Sequence, residues 1–483
     1  MPKHYQKDAI FIFLLLAFIF GYFYQDGRWN GNSRFDLIFA IVQQRRLTID
    51  NYQNQPGMDT GDKAYFNGHY YSDKAPGPAL IGSVLYLPLY WMKQGLTSAS
   101  RVDIKKILTY LVIGIPSALA GSLIYILCLY FSRNRFRAYL VTLTVTLGTM
   151  YFPYSIIFFS HQFSSSLLFG AFFLIFFIKE RQLATKTPYL FLIGLLLGWA
   201  FISEYPTAII IIPLIAYYIY VLWGNHNISH LRSIIFPILG LSIPAFIQLV
   251  YNKLCFGSYL SIGYQNLSNS QFNSGMAQGL MGINRPSLHT LFYMTLHPTL
   301  GIFWQSPALL LSIVGAVIVL ANRQYRVEAI LAMWIIVSYL VIISGYYMWW
   351  GGSALGPRDI IPMLPYFCIF LVFIPKRLTW PLLVLSLVSI GQMLIAAASN
   401  VNVPATTVSK IKTMGFFAYS NIYSYCLKQL QEGHFAQNLG QQLLGLRTWS
   451  SLIPLLIVIS IFTFFFLNGM GIFHPQKRPS LII

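Results

Sequence analysis

Apolar runs, several of them close to or beyond the roughly 20 residues that cross a bilayer as helix, alternate with polar breaks along the chain. They fall near residues 9–24, 107–131, 139–159, 163–178, 188–203, 205–223, 234–251, 300–321, 329–348, 360–375, 378–398 and 449–467, and predict about 12 spanning helices. A further run at 75–94, "APGPALIGSVLYLPLYWMKQ", carries Pro76, Gly77, Pro78, Gly82 and Pro88. These are poor residues for a helix interior, so the run is expected to lie along the membrane surface without crossing it. The N-terminus, "MPKHYQKDAIFIFLLLAFIFGYFYQDG", has the charge and apolar core of a signal sequence but no small-x-small cleavage site. It is expected as a retained first span.

Composition agrees with the pattern. The chain is 56% hydrophobic and only 9% charged, where soluble domains carry about 25% charged residues. An all-α integral membrane protein is therefore expected, and a soluble globular class is excluded. The formal charge of +19 would suggest nucleic acid in a soluble protein; here it points to loops facing anionic lipid, with no nucleic-acid partner. With the N-terminus inside and 75–94 not crossing, seven short segments holding 15 Lys and Arg gather on the cytoplasmic side. The expected organisation is a first span (1–24), an extracytoplasmic loop with interfacial helices and acids (25–106), helices 2–7 (107–251), a lid-like extracytoplasmic loop (252–299), helices 8–11 (300–398), a third extracytoplasmic loop (399–448), and a last span with a basic tail (449–483). No internal repeat or inverted pair of broken helices is visible, which argues against a transporter. Cys128, Cys255, Cys368 and Cys426 show no CxxC spacing.

Seven of the 13 acids lie between residues 26 and 103: Asp26, Asp36, Asp50, Asp59, Asp62, Asp73 and Asp103. In "TGDKAYFNGHYYSDKAPG", Lys63 and Lys74 each follow an Asp. Side by side in sequence, such residues point different ways, so the carboxylate can face one reactant and the ammonium another. A lysine just ahead of an interfacial helix sits at the depth of lipid phosphates, and Arg358 in "GGSALGPRD" offers a second, forked donor. The plainer alternatives are lysines that merely touch lipid headgroups and an arginine paired structurally with Asp359. His161 and Glu204 are expected at the tips of tight hairpins at the membrane edge, either ordering the turns or facing substrate. Asp59 and Asp62 could give oxygens to a divalent ion; two carboxylates are too few to require one, so no obligatory metal is expected.

Four stretches, "NSRFDLIFAIVQQRRLTID", "GDKAYFNGHYYSDKAPG", "FFSHQFSSSLLF" and "WWGGSALGPRDIIPMLP", together with the order of one span, an acidic loop and "YYSDKAPGPALIGSVLYLPLY", resemble the polyprenyl-phosphate-sugar-dependent glycosyltransferases of the GT-C superfamily. That family includes the lipid A aminoarabinose transferase and the protein O-mannosyltransferases; the likeness is closer to a subgroup of bacterial members. It covers the first 210 residues well and about 250–365 moderately. The resemblance implies a reaction at the extracytoplasmic face of the bacterial plasma membrane. A sugar would pass with inversion from a polyprenyl-phosphate donor to a lipid, polysaccharide or protein acceptor. A first-loop carboxylate would act as general base, and Lys74, Lys63 and Arg358 would hold the phosphate. Asp73, Tyr71, His161 and Glu204 would position substrate. Better-known relatives carry an Asp-Glu pair soon after the first span, where this chain has Gly31 and Asn32. The base is then Asp36, Asp59 or Asp62; Asp62 ranks first and Asp36 second, because "TGDKA" is most like the closer subgroup. Other readings left open are a polysaccharide ligase with a diphosphate donor and a transporter or flippase for an anionic lipid.

Overall fold

The computed structural model describes residues 3–92, 98–181, 183, 186–224, 230–405 and 419–469. The basic tail, part of the third expected loop (406–418) and parts of two expected inner loops lie outside the described residues. The chain opens with α1 (Lys3–Tyr22), β1 (Phe23–Tyr24) and α2 (Arg28–Phe39), then the hairpin β2 (Lys63–Phe66) and β3 (His69–Ser72). Next come α3 (Gly77–Met92), α4 (Ser98–Thr109), α5 (Ile115–Ser132), α6 (Arg135–Leu147), α7 (Tyr151–Tyr154), α8 (Ser160–Lys179), α9 (Thr187–Ser203), α10 (Ala208–Trp223) and α11 (His230–Phe256). The second half adds α12 (Ser270–Met276), α13 (Leu288–Thr295), α14 (Ile302–Gln305), α15 (Leu311–Ala321), α16 (Arg326–Ser344), α17 (Cys368–Leu371) and α18 (Thr379–Ala398); a final helix spans Ile453–Gly469. Among the described residues, seven helical stretches are long and apolar enough to cross a membrane, and three shorter apolar helices accompany them.

Local chemistry explains many of the boundaries. Asn134 caps α6 by accepting from the Arg137 amide at 2.9 Å, and α9 carries Pro188 in its first turn, where the missing N–H costs nothing. Two expected spans take other forms. The 139–159 run breaks after Leu147 into α7 and an extended segment that bridges Gln25 at Ile157. The 360–375 run becomes a 3₁₀ helix, Arg358–Phe367, followed by the single turn of α17. Pro362 and Pro365 remove two amide donors from the α ladder there, and the segment tolerates the loss because it is buried within protein. The 75–94 run is α3, a helix that keeps Pro88 inside it.

The helical expectation is also qualified by two small ribbons. In one, β1 pairs with β4 (Gln437–Asn438); in the other, β2 pairs with β3, both antiparallel.

Helices α9 and α11 approach so closely that a Cβ on Gly194 would lie 1.8 Å from the Pro237 carbonyl oxygen, and one on Gly240 2.0 Å from that of Phe191. Outward from this seam, Leu231, Ile238 and Phe246 of α11 are exposed, as expected of a helix with lipid on its free side. Polar groups gather instead at two levels. One holds Asp8, gripped by Arg135 at 2.6 and 2.8 Å, and Glu328, which takes Lys179 at 2.6 Å and Tyr217 at 2.5 Å. The other surrounds the start of α8. The 20 residues of α8 separate the two levels by about 30 Å of helix, the thickness of a hydrocarbon core.

Candidate active site

The β2–β3 hairpin generates the site. Asn67 and Gly68 form its two-residue turn with φ of 47° and 84°, the left-handed pair that matches the twist of antiparallel strands. The register runs from Phe66↔His69 to Lys63↔Ser72. One step further, at the open end, Asp62 and Asp73 follow on opposite strands. Lys74 comes next, and its Nζ lies 3.2 Å from Asp62 Oδ2 and 3.1 Å from Asp73 Oδ2. Neighbouring Asp and Lys thus do pair here, because the hairpin brings a second carboxylate to the same ammonium.

Helix α2 supplies the next layer. Ser33 donates to Asp73 at 3.4 Å and shares a 2.8 Å bond with Ser72. Arg34, fully buried, donates to the Asn30 carbonyl at 3.0 Å, to the Asn30 side chain, and to Ser160 Oγ at 2.7 Å. Ser160 opens α8 and donates to Glu204 Oε2. Glu204 follows the last residue of α9 in extended backbone, so its side chain turns back towards α8. His161 then sits between two carboxylates, Nδ1 3.3 Å from Glu204 Oε2 and Nε2 3.8 Å from Asp359 Oδ1. Arg358 places its guanidinium 4.8 Å from the Phe159 ring centroid, with Nε buried and unpartnered.

The segment after α11 covers this cluster. Tyr65 N donates to the Asn266 carbonyl at 2.8 Å, and Ser268 donates to that of Lys63 through its amide at 3.1 Å and its hydroxyl at 2.9 Å, so the segment lines the free edge of β2. Gly263 presses onto Asp73, where a Cβ would meet the carbonyl oxygen at 2.6 Å. Tyr264 stands with its ring centroid 5.6 Å from the Lys74 ammonium.

Burial pushes the Asp73 carboxyl up to about 6, against the pull of Lys74 and with a further rise from Asp62. Burial likewise pushes Asp359 up to about 7; Arg358 opposes it and Glu204 adds to it. Both acids lie outside the spanning helices.

Of the residues expected at the site, Asp62, Asp73, Lys74, His161, Glu204 and Arg358 are thus brought into one neighbourhood. Glu204 lies in the tight connection from α9 to α10 and His161 in the first turn of α8, and both are buried. The others are elsewhere. Asp36 is fully buried on the other face of α2, both oxygens unpartnered, and burial holds its carboxyl well above the usual range. Lys105 donates to Asn32 Oδ1 at 2.8 Å and to the Gly57 carbonyl at 2.6 Å, and Asn32 donates to the Asp59 carbonyl at 2.9 Å. Lys63 turns to Gln53 and Asn54 and lies over the Tyr70 ring. Tyr71 packs on Phe256, ring centroids 5.5 Å apart. The Asp59 side chain is exposed while Asp62 is held by Lys74, and among the described residues no three His, Cys, Asp or Glu side chains gather as a metal site.

Sequence reasoning missed Ser33, Arg34, Ser160 and Tyr264. Only Arg34 had a signal, the Asn30–Arg34 spacing that sets two polar side chains on one helix face. The "YFNGHYY" stretch also announced the hairpin through its Asn-Gly between aromatic residues.

No family model matches the chain, and no curated protein matches it in sequence. Among solved structures it resembles the crystal structure of ArnT from Cupriavidus metallidurans bound to undecaprenyl phosphate. The match covers 98% of this chain and 77% of that one, with a TM-score of 0.53 at 11% identity. The likeness is one of fold: this chain is an integral membrane protein with an ArnT-like helical architecture.

Proposed function

We propose that the protein is a membrane glycosyltransferase that takes a sugar from a polyprenyl-phosphate donor and passes it to an extracytoplasmic acceptor. The observation that carries this reading is Lys74, a largely buried ammonium held between two carboxylates, in a fold shared with a protein solved with undecaprenyl phosphate bound.

The chemistry follows from the pairings. A donor phosphate draws the Lys74 ammonium away from Asp62, and Arg358, which makes no ion pair with any described carboxylate, becomes its second partner. Asp62 is then a free carboxylate beside the reacting carbon. The acceptor hydroxyl attacks that carbon from the face opposite the phosphate. A new C–O bond forms, the proton passes to Asp62, and the bond to phosphate breaks with its electron pair on the lipid phosphate. Lys74 and Arg358 stabilise the charge that grows there. Asp36 is a poor candidate for the base, since a buried carboxyl that keeps its own proton cannot take a second one from the acceptor.

The test is turnover by purified protein in lipid nanodiscs with a panel of polyprenyl-phosphate sugars, read as release of lipid phosphate. Release with one donor, lost in Lys74→Ala, supports the reading. Binding of the lipid carriers with no sugar transfer to any acceptor, but movement of the lipid across the bilayer, would replace it with transport.

A further inference from the structure

The described side chains around Lys74 hold three fixed cations, Lys74, Arg34 and Arg358, against four carboxylates, Asp62, Asp73, Glu204 and Asp359. The cluster therefore has no spare positive charge before a phosphate arrives, and a phosphodiester adds one more negative charge beside side chains that are largely buried. Charge brought into low dielectric is costly unless something neutralises it. Three of the carboxylates already have a hydrogen-bonding or ionic partner. Asp62 and Asp73 share Lys74, and Glu204 accepts from Ser160, which is itself bound by Arg34. Asp359 has no Lys or Arg within ion-pair distance among the described residues; its nearest ionisable partner is His161, at 3.8 Å. It also adjoins Arg358, the cation that a phosphate would approach, and keeps 15% side-chain exposure, enough for a proton to reach it.

We infer that the lipid-phosphate group is captured together with one proton, which settles on Asp359. The inference rests on the functional reading above and adds to it a requirement on charge. In the empty site Asp359 is a carboxylate for part of the time; with phosphate on Arg358 it is a neutral acid whose O–H donates to a phosphate oxygen. Its elevated proton affinity at about 7, caused by burial, is consistent with this. The groups that face it are Arg358 on its own element, His161 on α8, Glu204 after α9, and Lys74 after β3. Tyr154 on α7, Tyr339 on α16, and Tyr346 and Tyr347 just after α16 complete its surroundings. Among them, Arg358 and Lys74 oppose protonation in the empty site, and phosphate binding removes much of that opposition by engaging both.

The sign follows from linkage. Below the empty-site value the proton is already present, so binding takes up none and affinity is flat with pH. Above it, each complex formed must collect a proton, and affinity falls as pH rises. The probe is a polyprenyl methyl phosphate diester, whose single charge does not titrate. Its binding to the full-length protein in detergent is followed by calorimetry between about pH 6 and about pH 9, in two buffers of different ionisation enthalpy. The expected result is a dissociation constant that is level up to about pH 7 and then climbs towards about tenfold per pH unit, with uptake of about one proton. In Asp359→Asn, whose amide N–H replaces the acid O–H as donor and cannot titrate, the slope and the uptake both disappear, whatever the change in affinity.

Binding without pH dependence or proton uptake overturns the inference and leaves the functional reading intact. So does binding that needs an added divalent cation, because the cation then supplies the missing charge. Uptake that persists in Asp359→Asn moves the proton to Asp73 or His161 and overturns the assignment. Failure of the unmodified protein to bind the diester at any pH removes the functional reading, and the inference with it.

Discussion

Lys74 and Asp62 are adjacent in space because of hairpin register, and each has a separable prediction. Lys74→Ala removes the ammonium that meets the phosphate, and kcat/KM for sugar transfer should fall about 10²–10³-fold. Asp62→Asn keeps the shape and removes the base, lowering kcat by about 10²–10⁴-fold with little change in donor affinity; full activity in this variant would send the search for a base to Glu204 or Asp73. Asp36 gives the contrast. Its folded carboxyl keeps a proton at pH values where an unfolded Asp, ionising near pH 4, has lost it. Folding then binds more protons than unfolding, so the Asp36 contribution to stability declines as pH rises through that window. Asp36→Asn should stay active and gain thermal stability relative to the unmodified protein as pH rises from about 5 to about 8. A relative loss at the higher pH would mean that Lys105 holds Asp36 ionised after all, the attraction outweighing the burial.

At the scale of elements, two glycine-dependent features set where the charged residues stand. The Asn67-Gly68 turn fixes the β2–β3 register, and a slip of one residue would send Lys74 to the other face of the ribbon. Along α9, Gly194 and Gly198 repeat at the four-residue spacing that lets helices approach closely in membranes. The structure uses that spacing against Pro237 and Leu241 of α11. Since Glu204 follows α9 directly, the seam also fixes its height relative to Ser160. Gly194→Leu should force the helices apart, at about 1–3 kcal/mol or more, seen as a lower melting temperature in detergent. An unchanged melting temperature would show that the seam is looser than the geometry implies.

For the whole molecule, the two polar levels joined by α8 are expected to face opposite sides of the membrane, with the level around Lys74 outside. Ser258→Cys and Arg323→Cys sample the two levels, and the four native cysteines are buried and so should react slowly. An impermeant thiol reagent added to intact cells should label the first and not the second; the reverse pattern would invert the orientation. The apolar runs were sufficient to announce an integral membrane protein, because crossing hydrocarbon demands long stretches without charge, and that demand is written residue by residue. Their number and form were less legible: 360–375 is apolar enough to span, yet Pro362 and Pro365 turn it into a broken element that only the surrounding helices can shelter. The acids of the first loop were legible as a chemical concentration, but the pairing of Lys74 with Asp73 and Asp62 runs against the expectation that neighbouring Asp and Lys point different ways. Asp36 and Lys63 ranked just behind Asp62 and Lys74 as candidates, and α2 and β2 turn them away from that meeting point. Hydropathy is a local property, so the sequence alone determined the solvent of this protein and its general build. Which charges face one another depends on strand register, helix rotation and contacts across hundreds of residues, and those were decided only when Arg34, Ser160, Glu204 and Asp359 were packed around one lysine.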